Sequence, residues 1–129
     1  MDNENERFSL VKRAQSFTHA GRGAWVFFRS THNAWLHTAI LALTVMLGYF
    51  YHISRTDWMM LVFAGGLVFA SEAFNTAIEI DMDLTSPEYH PYARDTKDVA
   101  AGAVLVNALL AVVIGLCIFG PHIWLLIFK

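Results

Sequence analysis

Residues 71–83 read Ser-Glu-Ala-Phe-Asn-Thr-Ala-Ile-Glu-Ile-Asp-Met-Asp and begin inside a long apolar segment. Side chains three and four apart share one side of a helix. At about 100° per residue, Glu72, Asn75, Glu79 and Asp83 fall within an arc of roughly 80°. A strip of three carboxylates and one amide therefore runs down an otherwise membrane-like helix. A carboxylate facing hydrocarbon costs several kcal/mol or more. Any fold of this chain has to turn the strip toward protein or a watery cleft. One polar residue in a spanning helix is often glue between helices. Three carboxylates in register exceed that need and mark the strip as the candidate site.

Composition agrees with a membrane setting. The chain has 129 residues, 56% of them hydrophobic, and a mean hydropathy of +0.43, too apolar for an ordinary small soluble domain. The length fits a single domain, 1–129. The net charge of -2 gives no reason to expect a nucleic-acid partner, and the lone Cys117 excludes an intrachain disulfide or a cysteine-based metal site.

The pattern predicts an all-α membrane protein with an N-terminal amphipathic surface helix and three transmembrane helices. In 7–30, Arg7, Lys12, Arg13, Arg22 and Arg29 alternate with Phe8, Phe17, Trp25, Phe27 and Phe28, as in a helix lying on a membrane surface. A break is expected near Gly21 and Gly23. Spans are expected at 34–51, 58–80 and 99–119, with Gly65, Gly66, Ala70, Ala73 and Ala77 permitting close helix approach. Pro87 and Pro91 end helical structure between the second and third spans, and Gly120-Pro121 is expected to bend or end the third. Five basic residues precede the first span and two, Arg94 and Lys97, lie in the 81–98 connection. The positive-inside rule then puts the N-terminus and that connection in the cytoplasm, so the strip opens toward the compartment that holds ATP.

The residues around the strip suit phosphoryl transfer. Carboxylates bind magnesium, which usually arrives with phosphate. Lys97 can neutralise phosphate charge, and a carboxylate deeper in the membrane can take the proton of a lipid hydroxyl. No phosphate loop of the GK[ST] type is present, so a nucleotide site must be built otherwise.

The motif Glu72-x-x-Asn75-Thr-Ala-Ile-Glu79, then Asp83, Ser86-Pro-Glu-Tyr-His-Pro91 and Lys97-Asp98-x-Ala-Ala, resembles the small prokaryotic integral-membrane diacylglycerol kinase family, which includes undecaprenol kinases. Ser16-Phe17-x-x-Ala20-x-x-Gly23 and Asn33-x-x-x-His37 extend the likeness over about residues 12–119. The resemblance implies a homotrimer in the cytoplasmic (inner) membrane of a bacterium, with active sites at subunit contacts that use Mg2+, ATP and a lipid alcohol. It implies Glu72 as general base with Asn75 supporting it, and Glu79 as the metal ligand. Lys12, His19, Glu79, Glu88, Tyr89, His90, Lys97 and Asp98 are the implied nucleotide contacts. Ser16, Trp25, Asn33 and His37 join Glu72 as candidate contacts of the lipid substrate. Asn33 with His37, and the 86–91 segment, look more like the undecaprenol branch.

Thr31 departs from the pattern: many members have a second metal-binding glutamate there, and a threonine hydroxyl is a weak magnesium ligand. On the metal reading, Thr31→Glu would hold or raise activity. Two other functions are compatible with the residues. A small oligomeric transporter or channel would use Glu72 as a coupling carboxylate, and a non-catalytic scaffold would keep only the fold. The topology is testable directly: a cysteine placed at Ser54 should react with an impermeant reagent from the outer face, and one at Ser86 only from the inner face. The reverse pattern would overturn the orientation.

Overall fold

The computed structural model describes residues 10–128, with side chains from Arg13 onward. Four helices follow one another: α1 Leu10–Ser30, α2 His32–Phe50, α3 Arg55–Thr85 and α4 Pro91–Ile127. The expected beginning of the surface helix at residue 7 lies outside the described residues. Helices α2, α3 and α4 are each long and apolar enough to cross a membrane, and the chain is an all-α membrane protein.

Local chemistry sets the helix ends. The Thr31 side chain caps α2, and Ser54 with Asp57 forms a reciprocal capping box at the start of α3. His90 caps α4 through its Nδ1, which accepts from the Tyr92 N–H at 3.3 Å, with Pro91 in the first turn. Helix α2 closes with His52 at φ 50 and the Ile53 N–H donating back to the Gly48 carbonyl. That left-handed residue turns the chain within four residues, and histidine tolerates the conformation better than most.

The break expected in α1 does not occur. Helix α1 runs unbroken through Gly21 and Gly23. Each glycine weakens a helix by about 1 kcal/mol but ends it only with a left-handed turn or a proline to follow. At Gly120-Pro121, where a bend or an end was expected, helix α4 does not end but continues to Ile127. Pro121 removes one backbone donor, a loss that neighbouring groups often absorb in membrane helices. His122 lies beside that site, its Nδ1 2.9 Å from the Ile118 carbonyl oxygen.

Helices α3 and α4 form the long antiparallel pair on which the rest leans. Leu61, Ile118 and Phe119 are buried between them with Ile53, flanked by Leu47, Tyr51, Trp58 and Ile114. Helix α2 meets α3 where Gly48 faces the Trp58 ring and where the His37 and Phe69 rings lie 6.3 Å apart. Helix α1 folds back on α3 through Phe27, whose ring is 6.4 Å from Phe69. Leu43, Met46, Leu105, Leu109, Val112 and Leu116 are exposed along α2 and α4. That apolar exterior suits hydrocarbon and would be an aggregation liability in water.

Gly48 is the tightest point. A Cβ there would stand 2.7 Å from the end of the Trp58 ring and 3.1 Å from Ile53. Gly48→Val should therefore lower unfolding stability in detergent by about 1–3 kcal/mol, the usual effect of overpacking. A thermal melt that leaves the variant level with the parent would show that the ring yields freely.

Candidate active site

The middle of α3 holds the buried polar residues of the fold. Glu72 is 1% exposed, Thr76 5% and Asn75 6%. Glu79, one to two turns on, is half-buried, and Asp83 reaches the surface. The strip thus passes from the packed interior to solvent along one rod.

Each member of the strip is tied to a neighbour. The Thr31 hydroxyl donates to Glu72 Oε1 at 3.4 Å, a long contact for two oxygens. Thr76 Oγ1 donates to the Glu72 backbone carbonyl at 2.9 Å. Asn75 Nδ2 donates to Glu79 Oε1 at 3.0 Å. Asn75 Oδ1 is buried and has no partner. A buried amide oxygen left unpaired costs about 1–3 kcal/mol, and it is an acceptor poised for a donor from a ligand.

Beyond Asp83 the strip opens into a polar hollow of about 300 Å3. Glu88, Tyr89, His90, Lys97 and Asp98 line it, so the fold gathers five of the sequence-derived candidates at one mouth. Lys97 Nζ lies 2.9 Å from Asp83 Oδ1. Lys97 sits in the polar first turns of α4, ahead of its apolar length. The hydrogen bond to Asp83 and that carboxylate's charge hold its ammonium above the ordinary lysine pKa. A raised pKa means the pair is complete below the unfolded lysine value and is lost only as pH climbs through the raised one. Across the neutral range the ammonium stays charged. Sequence reasoning left Arg94 out of the site. Its guanidinium lines the same hollow, 2.9 Å from Asp95 Oδ1 and 3.3 Å from the Tyr89 hydroxyl. Its place one turn before Asp98, beside a motif already in view, was the available signal.

The other candidates lie elsewhere. His19 lines a groove of about 560 Å3 between α1 and α3 with Arg22, Val26, Phe27 and Phe74, not the hollow that holds Lys97. Thr76, Ala73 and Ala77 form the α3 wall of that groove. Trp25 is exposed, its ring 5.0 Å beneath the Arg29 guanidinium. Ser16 and Asn33 are also exposed. His37 borders a cavity of about 280 Å3 between α2, α3 and α4, whose apolar lining includes Ile40, Leu41, Leu61, Val68 and Phe119. The Lys12 side chain lies outside the described residues.

An all-α membrane protein with a buried acidic centre leading to a charged mouth is the class these features define. The profile of the prokaryotic diacylglycerol kinase family matches residues 18–119. An undecaprenol kinase of Bacillus subtilis (strain 168) is 39% identical, over 95% of this chain and 100% of its own length. A diacylglycerol kinase of Synechocystis sp. is 35% identical over 82% of this chain and 61% of its own length. One of Escherichia coli (strain K12) is 30% identical over 95% and 98%. The chain belongs to the prokaryotic diacylglycerol kinase family.

The donor set fits magnesium of the kind that accompanies nucleotides. Among the described residues no group of three His, Cys, Asp or Glu side chains could hold an ion by itself. Magnesium commonly takes one or two carboxylates and completes its shell with phosphate and water, and Glu79 offers such a carboxylate between interior and mouth.

Asn75 separates the two deeper carboxylates of the strip, Glu72 and Glu79. Asn75→Asp would place a third charge in the buried run with no cation beside it, at a cost of roughly 3–5 kcal/mol for an uncompensated buried charge. The expected result is a large fall in the thermal midpoint in detergent at neutral pH, partly recovered at acid pH. An unchanged midpoint would show that water reaches the strip.

Proposed function

We propose that this protein transfers the γ-phosphoryl group of ATP to the hydroxyl of a membrane lipid alcohol, with undecaprenol preferred to diacylglycerol. One observation carries the reading. A carboxylate 1% exposed, Glu72, shares one face of α3 with Asn75, Glu79 and Asp83, and Asp83 lines a charged hollow at the end of the same helix. The undecaprenol preference rests on the 39% identity to a kinase named for that lipid along its whole length.

In this reading Glu72 accepts the proton of the lipid hydroxyl as its oxygen forms the bond to the γ-phosphorus. The bond from that phosphorus to the β–γ bridging oxygen breaks, ADP leaves, and the proton passes from Glu72 to solvent. Asn75 supports that centre by holding Glu79 Oε1 through its Nδ2. Lys97 and Arg94 attract the phosphates, and Lys97 can do so while keeping Asp83, since an ammonium has three donors. Glu79 would hold magnesium, whose charge offsets that developing on the phosphates. Seven residues separate Glu72 from Glu79, about 10 Å along the helix, enough for a lipid hydroxyl and a γ-phosphate to lie between them.

The mouth faces the cytoplasm in this reading, following the basic-residue bias. The protein works as a homotrimer in the inner membrane of a bacterium. The separation of His19 from the Lys97 hollow in one chain supports a nucleotide site completed by a neighbouring copy.

The test uses purified protein in mixed micelles with radiolabelled ATP and magnesium. The lipid is undecaprenol, diacylglycerol or none. Label should enter undecaprenol fastest and require lipid. Glu72→Gln should keep the oligomer and ATP binding while turnover falls about 10²- to 10⁴-fold, the usual worth of a positioned base. Glu79→Gln should raise the magnesium requirement. A Glu72→Gln protein that assembles normally and phosphorylates lipid near the parental rate would remove Glu72 from this role, and a parent that labels no lipid would favour a scaffold.

A further inference from the structure

Thr31 stands alone between the last residue of α1, Ser30, and the first of α2, His32, with φ -128 and ψ 131. Its hydroxyl oxygen accepts the Asn33 N–H at 3.1 Å. Its proton points to Glu72 Oε1 at 3.4 Å, forty-one residues away in sequence. A hydroxyl has one proton and two lone pairs. The backbone N–H occupies one lone pair and so turns the proton toward the carboxylate. Among the described residues no other side chain hydrogen-bonds that carboxylate.

We propose that Thr31 is a positioning residue for the general base: its capped hydroxyl holds Glu72 Oε1 and presents Oε2 to the lipid hydroxyl. This rests on the reading of Glu72 as the base. A terminal carboxylate turns readily about its last bond, and a base pays heavily for small errors of aim. At 3.4 Å the contact is too long to be a strong bond, and steering needs only that one orientation be favoured. The hydroxyl serves the base and not the metal, because its proton is directed at a carboxylate and its oxygen already accepts from the backbone.

The cap also gives the contact its rigidity. Thr31 is fixed by the first turn of α2, and Glu72 by the packed middle of α3. A shift of α1 or α2 against α3 would therefore alter the base before it altered the mouth, where no residue of α2 takes part.

The test is a cycle of Thr31→Val and Glu72→Gln with Thr31→Ser as the conservative variant. All are assayed as intact protein in mixed micelles with radiolabelled ATP and undecaprenol. Thr31→Val keeps the shape and removes the hydroxyl. Its kcat should fall about ten- to a hundredfold, with the KM for ATP and the magnesium requirement unchanged. Thr31→Ser should restore most of the rate. In the Glu72→Gln background, Thr31→Val should have no further effect on kcat, because there is no base left to aim. The oligomer and its thermal midpoint, followed in parallel, report the loss of the α2 cap separately. An equal loss of kcat in both backgrounds would overturn the proposal, as would a raised magnesium requirement at unchanged kcat. A Glu72→Gln single variant with parental turnover would instead overturn the base assignment, and this proposal with it.

Discussion

A carboxylate with 1% of its surface exposed, in the middle of a membrane-spanning helix, constrains everything around it. Removing an ion from water costs far more than one hydrogen bond returns. The site is tolerable only because the helix interior, the N-cap of α2 and the α1–α3 contact enclose it together. The α1–α2 junction is short for that reason: one extended residue, Thr31, brings the cap of one helix against the side chain of another. A longer linker would leave α1 free to leave and the carboxylate free to meet lipid.

The α3–α4 hairpin supplies the second half of the site. The five residues between Thr85 and Pro91 return the chain so that Lys97 meets Asp83. Both partners are exposed enough that water screens them, so the pair contributes little to the fold. Its value is placement: it keeps a cation at the mouth of the hollow. His90 adds to this economy by capping α4 with the same ring that lines the hollow.

The strip, the spans and the Ser86–Pro91 turn were legible because each rests on local chemistry: helical register, apolar length, and proline's missing donor. The continuity of α1 through its two glycines was not, since a glycine signals a possible turn but ends a helix only where the backbone turns left-handed or a proline follows. At Pro121 the helix carries on to Ile127. The strip was legible in its register more than in its partnerships. Glu72, Asn75 and Glu79 announce themselves by spacing. That Thr31 would touch Glu72 depends on a contact forty-one residues long, which no periodicity contains. Read as a position where a ligand is lacking, Thr31 looked like a loss; its hydroxyl turns out to have a neighbour of its own. His19 shows the converse, since its residue type suits a nucleotide contact but its helix carries it to another groove.

Helix α3 runs 31 residues without interruption, about 46 Å, against a hydrocarbon layer of about 30 Å. Its inner carboxylate and its outer one are therefore marks on a rigid ruler laid across the membrane boundary. On the kinase reading, an acceptor is measured by depth before it is judged by shape: its hydroxyl has to float at the level of the lower mark. A small change in bilayer thickness would shift that scale under every acceptor.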